Sequence, residues 1–241
     1  MHEPLAQLLE RTYSVAEREV IYRLIRGCWQ IRHFAADPIP RESLQRILDA
    51  ALDAPFAGDR PPWNIIVITS AALRAHIMAA VEQGHESDAS TRPDERGQGV
   101  SGALTRERLT EAPLHLAVTY DRGRGGPVGL DRALGPFRDI SRICWAIQNL
   151  WLAACDEGLG VEWIRLSDDG AVARLLALPR RVQLIAYLCL GIPQAFHVRP
   201  KREAVDWRAR RRLDSRIYTD LWGQTAERLA DAMPPADDHV L

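Results

Sequence analysis

The chain has 241 residues, of which 46% are hydrophobic and 26% are charged, so it is long enough for one sizeable core and short for two full domains. Its 31 basic and 32 acidic residues leave a formal net charge of -1, which gives no overall field that favours nucleic acid or an anionic membrane. No apolar run in the sequence approaches the roughly 20 residues that cross a bilayer, and the N-terminus lacks a secretory pattern. We therefore expect a cytoplasmic protein with an N-terminal arm (1–13), one main domain (14–223) and a C-terminal tail (224–241).

The four cysteines of the chain show neither CxxC spacing nor Cys/His ligand spacing, so we predict no metal site. A chain of this length does not need disulfide bonds for its stability. Cys155 and Cys189 fall in apolar helix and strand patterns and are expected to be buried packing residues.

The first predicted elements are two helices. Ser14 and Glu17 stand at capping-box spacing and begin a helix that we expect to end at Cys28. Val20, Ile21, Leu24 and Ile25 form the apolar stripe of this helix. A second helix begins near Pro40 and ends before Pro55.

A loop rich in proline and glycine comes next, and it leads into a predicted buried strand over 64–69. A helix is expected over 71–83. Residues 84–102 are rich in Gly, Ser, Asp and Glu, which predicts a mobile loop or lid.

The second half of the chain alternates strands and helices. The pattern predicts a strand over 114–120, a flexible turn over 122–129 and a long, mostly apolar helix over 140–157. Gly158 is placed to end that helix in a left-handed conformation, and a strand should follow over 161–166.

The last predicted elements are a short helix, a strand and a helical tail. The short helix starts at Asp168 or Asp169 and ends before Pro179, and the buried strand covers 182–191. A helical stretch over 213–233 should wrap a neighbouring subunit. Strands flanked by helices indicate an α/β or α+β sandwich.

Three groups of motifs stand in order between residues 18 and 223. The first runs from Tyr22-Arg-Leu-Ile-Arg through Ile31-Arg-His-Phe to Ala54-Pro55. The second is Gly58 with Pro62-Trp63-Asn64, and the third comprises Ala146-Ile-Gln-Asn-Leu-Trp, Glu157-Gly-Leu-Gly-Val and Tyr187-Leu-Cys-Leu-Gly. In order and spacing, these motifs resemble the 5,6-dimethylbenzimidazole synthase branch of the nitroreductase superfamily.

This resemblance implies an α+β nitroreductase-like fold, with a central mixed or antiparallel sheet flanked by helices, in an interlocked homodimer. It also implies FMN at each subunit interface. In that branch, reduced FMN is itself a substrate that reacts with molecular oxygen and is cleaved to give the lower ligand of cobalamin. Other members of the superfamily pass hydride from NAD(P)H through FMN to nitro compounds, quinones or halogenated aromatics.

The resemblance also places site residues near the start of the domain. The family's Arg-Arg-Asp-x-Arg run is read here as Cys28-Trp29-Gln30-Ile31-Arg32. Arg32 is retained, and its planar fork matches phosphate oxygens, so we expect it to bind the cofactor. Gln30 occupies the catalytic aspartate position, where an amide can form hydrogen bonds but cannot act as a general base.

The loop that follows the second helix keeps the residues that shape its backbone, Pro55 and Gly58. Phe56 replaces the family's serine, and it either stacks on the flavin ring or fills its space. All three are predicted cofactor contacts, together with Arg210 near the end of the match.

The predicted strand over 161–166 contains Trp163, which matches the family and is a further cofactor contact. Arg165 replaces the family's serine, and Ser167 would point to the same face of a strand, so both are candidate catalytic residues. The neighbouring Glu162 would disfavour an anionic reduced flavin unless an arginine offsets its charge.

Two other functions are compatible with these residues. A catalytically silent relative could bind another anionic or aromatic ligand, for which Arg138 and Arg142 stand one helical turn apart. An NAD(P)H-dependent nitroreductase fits the fold, although no specific residue supports it.

Overall fold

A computed structural model of the chain describes residues 13–28, 30–31, 33–56, 60–91, 112–124, 135–166, 168–194, 218 and 221–223. The chain divides into two compact units, Met1–Phe196 and His197–Leu241. In the second unit, the rings of Tyr218 and Trp222 lie 4.9 Å apart. The predicted helix over 213–233 is wrong at 221–223, which form a bend and a turn with Gly223 at a positive φ of 90° that glycine adopts without steric cost.

The first unit is built on an antiparallel sheet of four strands among the described residues, in the order β1-β2-β4-β3. The strands are β1 (Trp63–Ile68), β2 (Leu114–Asp121), β3 (Gly160–Ile164) and β4 (Val182–Gly191). Strand β2, one of the two central strands, is buried along its whole length, including the polar residues His115 and Asp121. The expected α+β architecture is confirmed.

Five α-helices surround this sheet in the described residues. They are α1 (Val15–Gly27), α2 (Arg41–Leu52), α3 (Ala71–Thr91), α4 (Gly135–Asp156) and α5 (Asp169–Leu175). None of them combines the length and the apolar character needed to cross a bilayer.

One face of the sheet packs against α2 and α4, which also pack against each other. Buried residues recur along α4 at helical spacing, so one side of the helix is turned to the sheet: Ile143, Ala146, Ile147, Leu150 and Ala154. Arg46 on α2 donates from Nη2 to Glu157 Oε2 at 2.7 Å. This hydrogen bond lowers the pKa of Glu157 to about 2.

The opposite face of the sheet packs against α3 and α5. Ile77 and Val81 of α3 and Val172 of α5 are buried there beside Tyr187 of β4. Burial raises the pKa of the Tyr187 hydroxyl, which lies 2.8 Å from Nδ1 of His115. The sheet is therefore covered on both faces.

Local sequence signals fix the ends of several elements. The capping box is present: the Ser14 side chain accepts from Glu17 N, and the Ser14 N–H donates to the Glu17 carboxylate. Gly158 has a φ of 72°, which confirms the predicted left-handed end of α4. Asp168 caps α5 by accepting from Ala171 N at 2.9 Å.

Three predicted boundaries are wrong. Helix α4 begins at Gly135 and not at 140. Helix α3 continues to Thr91, so residues 84–91 are helical and not a loop. Helix propagation adds one backbone hydrogen bond for each residue that joins the helix. The rest of the predicted lid, 92–102, lies outside the described residues. Strand β3 ends at Ile164, because the chain turns towards the capping residue of α5.

The prediction that Cys155 is a buried packing residue is wrong. It is partly exposed and forms a disulfide with Cys28, whose Cα lies 5.9 Å from its own. The ends of α1 and α4 meet in the fold, although 127 positions separate the two cysteines in the sequence. Cys189 is fully buried as expected, and burial holds the pKa of its thiol well above the usual range.

Candidate functional site

The segment that follows α1 runs alongside β3. Gln30 bridges to Val161 in parallel orientation, and the Ile31 N–H donates to the Val161 carbonyl at 3.1 Å. The Gln30 side chain donates from Nε2 to the Trp163 carbonyl at 3.1 Å. The backbone bridge and the Gln30 side-chain hydrogen bond therefore fix the position of this segment against the strand.

The same segment is also held at its other end. Ala35 N donates to the carbonyl of Ile192 at 2.8 Å, and Gln194 N donates to the carbonyl of His33 at 3.1 Å. The Gln194 amide adds a bond to the Phe34 carbonyl at 2.9 Å. The described residues 30–31 and 33–35 thus lie at one edge of the sheet and are held there by hydrogen bonds, as a binding segment requires.

Trp163 and Glu162 lie on opposite faces of β3. Trp163 is 37% exposed, whereas Glu162 is 1% exposed and pairs in register with Cys189 of β4. Because successive side chains of a strand alternate between its faces, Glu162 points away from the face that presents Trp163. The carboxylate that the sequence places next to the candidate flavin site is therefore turned into the interior.

Arg165 is exposed and lies beyond the end of β3. The strand alternation used to place Ser167 on the face of Arg165 does not apply there, because the strand has ended. Ser167 itself lies outside the described residues. Their assignment as catalytic residues stays a prediction, as does that of Gln30.

Gly160 of β3 lies close to Ile31 of the segment that follows α1. A Cβ placed there would lie 2.6 Å from Cβ and Cγ1 of Ile31, a distance at which one of the two chains must move. The sequence signal was the glycine itself, because a glycine inside a strand often marks a close approach of backbones.

Replacing Gly160 by alanine is expected to destabilise the protein by about 1–3 kcal/mol, the usual cost of overpacking. Urea unfolding measures this change. Gly27→Ala is the matched control, since a Cβ there meets nothing within 4 Å. Equal unfolding midpoints for the two variants would contradict the close contact between Gly160 and Ile31.

The loop residues Pro55 and Phe56 lie at another place in the fold. Both are exposed, and the Phe56 ring stands edge-on to Trp63, with centroids 5.6 Å apart. Phe56 is 37% exposed, whereas Trp63 is 2% exposed. Trp63 is therefore buried beneath Phe56, and the Phe56 ring is accessible to solvent. One face of an aromatic ring is thus available to a ligand.

These two candidate groups lie at opposite edges of the sheet. Trp63 of the edge strand β1 pairs with Tyr120, which in turn pairs with Gln183. Trp163 of the other edge strand pairs with Leu188, further along β4. The two tryptophans are separated by three strand spacings of about 4.8 Å each across the sheet. They are also about five residues apart along the strand direction, so the distance between them is roughly 20 Å. One subunit therefore does not bring the two groups together.

The start of α4 carries a buried polar cluster that the sequence did not reveal. Asp139 is 6% exposed; its Oδ2 accepts from the Tyr120 hydroxyl at 2.9 Å and its Oδ1 from Arg142 Nη1 at 3.0 Å. Burial and the hydrogen bond to Asp139 raise the pKa of the Tyr120 hydroxyl. Because Arg142 is already paired, the expectation that it joins Arg138 in holding an anion is not supported by this geometry.

Four predicted site residues lie outside the described residues. They are Arg32, Gly58, Ser167 and Arg210. Each stays a prediction from the sequence.

Comparison with known proteins identifies the family. Residues 25–192 match the model of the nitroreductase family. The 5,6-dimethylbenzimidazole synthase of Rhodospirillum rubrum is 36% identical over 181 residues, which cover 75% of this chain and 85% of that protein. The enzyme of the same name from Rhodobacter capsulatus is 32% identical over 196 residues, or 81% of this chain and 94% of that protein.

A solved structure shows the same fold. Oxidised iodotyrosine deiodinase, bound to FMN and 3-iodo-L-tyrosine, superposes with a TM-score of 0.60 at 21% identity and covers 72% of this chain and 90% of that one. The nitroreductase-like fold expected from the sequence is confirmed. The chain belongs to the nitroreductase family and is a flavin-dependent oxidoreductase.

Proposed function

We propose that this protein binds FMN and, like the 5,6-dimethylbenzimidazole synthases it resembles, couples reduced FMN to molecular oxygen. The observation that carries the proposal is the fastening of residues 30–31 to β3 beside the exposed Trp163. This arrangement leaves an aromatic side chain accessible at one edge of the sheet. The predicted phosphate-binding residue Arg32 directly follows Ile31 in the sequence.

The residues present fit a flavin by their chemistry. Trp163 and Phe56 are each 37% exposed and offer aromatic surface to a flat ring system. Arg32 would hold the phosphate, because a guanidinium donates two parallel hydrogen bonds to phosphate oxygens. Bound FMN would supply the two-electron chemistry, while these side chains bind and orient it.

We further propose that the protein is a homodimer whose sites use both subunits. The Trp163 edge and the Phe56 edge are too far apart within one subunit to contact one ring, and a second copy can supply the missing edge. Large apolar side chains of α1 and α4 are also exposed on the single chain: Val20, Ile21, Tyr22, Ile25 and Trp145. Exposed large apolar side chains on two helices that contact each other are typical of a subunit interface.

Ile25→Asp tests the dimer. Ile25 is 55% exposed in the single chain, and a charge buried without a partner at an interface should cost about 2 kcal/mol or more of association free energy. The variant should therefore run at monomer mass in light scattering at concentrations where the parent protein is dimeric. Leu175→Asp on α5, 38% exposed in the parent, is the control and should stay dimeric. A dimeric Ile25→Asp protein would exclude α1 from the interface.

Arg32→Ala tests the phosphate contact. Loss of a hydrogen bond to a charged group should weaken FMN binding by about 1.5–3 kcal/mol, measured by fluorescence titration. Arg41→Ala, at the exposed start of α2, should bind FMN as the parent protein does. Unchanged affinity of Arg32→Ala would remove Arg32 from the binding site.

The function is tested by titrating the purified protein with FMN and with reduced FMN while oxygen consumption is recorded. Saturable binding of reduced FMN, with oxygen uptake above that of free reduced FMN, is the expected result. Absence of affinity for either flavin would exclude the proposed function.

One observation favours a second candidate, a catalytically silent member of the family that binds an anionic or aromatic ligand. Gln30 occupies the family's aspartate position and uses its amide to donate to the Trp163 carbonyl, which an ionised carboxylate cannot do. The side chain thus positions the backbone. Flavin binding without oxygen consumption would select this candidate.

A further inference from the structure

The disulfide between Cys28 and Cys155 joins two helix ends beside the candidate flavin site. Cys28 directly follows α1, and its N–H donates to the Leu24 carbonyl at 2.9 Å. Cys155 lies in the last turn of α4. Their Cα atoms are 5.9 Å apart, within the range of about 4.4–6.8 Å that a disulfide spans.

On the Cys155 side, the crosslink is anchored to a rigid corner. Leu159 N donates to the Ala154 carbonyl at 2.8 Å, and β3 begins at the next residue, Gly160. The end of α4 and the start of β3 are therefore fixed to each other by a short turn. Whatever is bonded to Cys155 is held at a set distance from β3.

On the Cys28 side, the crosslink holds a helix that has few other attachments. Almost every described side chain of α1 is exposed, and α1 packs mainly against α4. Two positions after Cys28, the chain pairs with β3 through Gln30 and Ile31. The disulfide thus connects α1 and the start of this segment to the corner that carries β3.

We propose that Cys28 and Cys155 form a reversible dithiol–disulfide site that sets how firmly Gln30 and Ile31 lie against β3 and, through them, the flavin affinity. The flavin part of this inference rests on the proposed function. Both sulfurs belong to partly exposed residues, so small oxidants and reductants reach them. The other two cysteines do not form such a pair: Cys189 is buried, and Cys144 is exposed as a free thiol.

The redox step is balanced with hydrogen peroxide as the oxidant. The two thiols lose two electrons and two protons as the S–S bond forms, and one peroxide takes them up to give two molecules of water. In the reverse direction, a small dithiol donates its two hydrogens, becomes a cyclic disulfide and leaves Cys28 and Cys155 as thiols.

The experiment compares oxidised and reduced protein in a Cys144→Ser background, which removes the exposed free thiol. One sample is treated with hydrogen peroxide and the other with dithiothreitol, and both reagents are then removed under argon. Alkylation and mass spectrometry count the free thiols. Hydrogen exchange then follows the peptide that covers residues 28–34, and titration gives the affinity for FMN.

Reduction should add two alkylated cysteines and speed exchange in the 28–34 peptide. It should also weaken FMN binding by about fivefold or more, the lower end of usual couplings between two sites. Cys28→Ser protein should match the reduced sample under both conditions. Exchange that is the same in both states would overturn the inference.

Failure of the inference and failure of the proposed function give different results. Equal, saturable FMN binding in both redox states overturns the control of affinity and leaves the proposed function standing. Absence of FMN binding in both states overturns the proposed function and, with it, the flavin part of the inference. In that case the hydrogen exchange still reports whether the crosslink holds the segment.

Discussion

Leu150→Ala is expected to lower the free energy of unfolding by about 2–5 kcal/mol, the range found when a buried leucine is cut back to alanine. Leu150 is 0% exposed and lies in the core between the sheet and helices α2 and α4. The effect is large because the variant loses apolar contacts and leaves a cavity. The surrounding core, packed between the sheet and the helices, relaxes only partly into that cavity. Urea unfolding followed by circular dichroism gives the change as a shift in midpoint.

The control for this prediction is Gln148→Ala on the same helix. Gln148 is exposed, so its replacement should change the stability by no more than about 0.5 kcal/mol. A small effect at Leu150 would mean that α4 does not pack on the sheet as described. The position of β3 would then lack its support, because β3 follows α4 through one short turn.

Cys155→Ser is expected to destabilise the oxidised protein by about 2–4 kcal/mol. The crosslink joins positions 127 residues apart, and a long closed loop removes much of the entropy of the unfolded chain. The measurement is urea unfolding without reductant. Adding dithiothreitol should bring the parent protein down to the stability of the variant.

Two controls make this second prediction specific. Cys28→Ser should reproduce the effect of Cys155→Ser, since either change removes the same bond. Cys144→Ser should change nothing, because Cys144 is an exposed free thiol. A parent protein whose stability is the same with and without reductant would contradict the crosslink.

Much of the secondary structure follows from signals that lie within a few residues of each other. The capping box at Ser14, the glycine that ends α4 and the strand over 182–191 were all predicted, and the structure confirms them. Each depends on local hydrogen bonds or on a short apolar run, so the sequence alone contains the information. Two of the predicted boundaries, at 84–91 and after Ile164, were wrong. Helix α3 propagates beyond its predicted end, and β3 stops short of Asp168, the residue that caps α5.

The candidate site was predicted less completely, because its contacts are distant in sequence. Ile31 meets Gly160, and Gln30 donates to the Trp163 carbonyl, although more than one hundred positions separate the partners. The sequence alone does not tell whether Glu162 faces the flavin site or the core. The register of β3 on β4 decides this. Neither a period nor a motif encodes that register.

The sequence by itself determined the family, the order of helices and strands, and the residue types that suit a flavin. These follow from ordered motifs, local caps and hydrophobic periodicity, all of which act over short stretches of chain. Only the tertiary structure decided that Cys28 meets Cys155, that Glu162 turns inward, and that Trp163 and Phe56 lie at opposite sheet edges. The physical reason is that strand pairing and the burial of whole faces select among many arrangements of the same local elements.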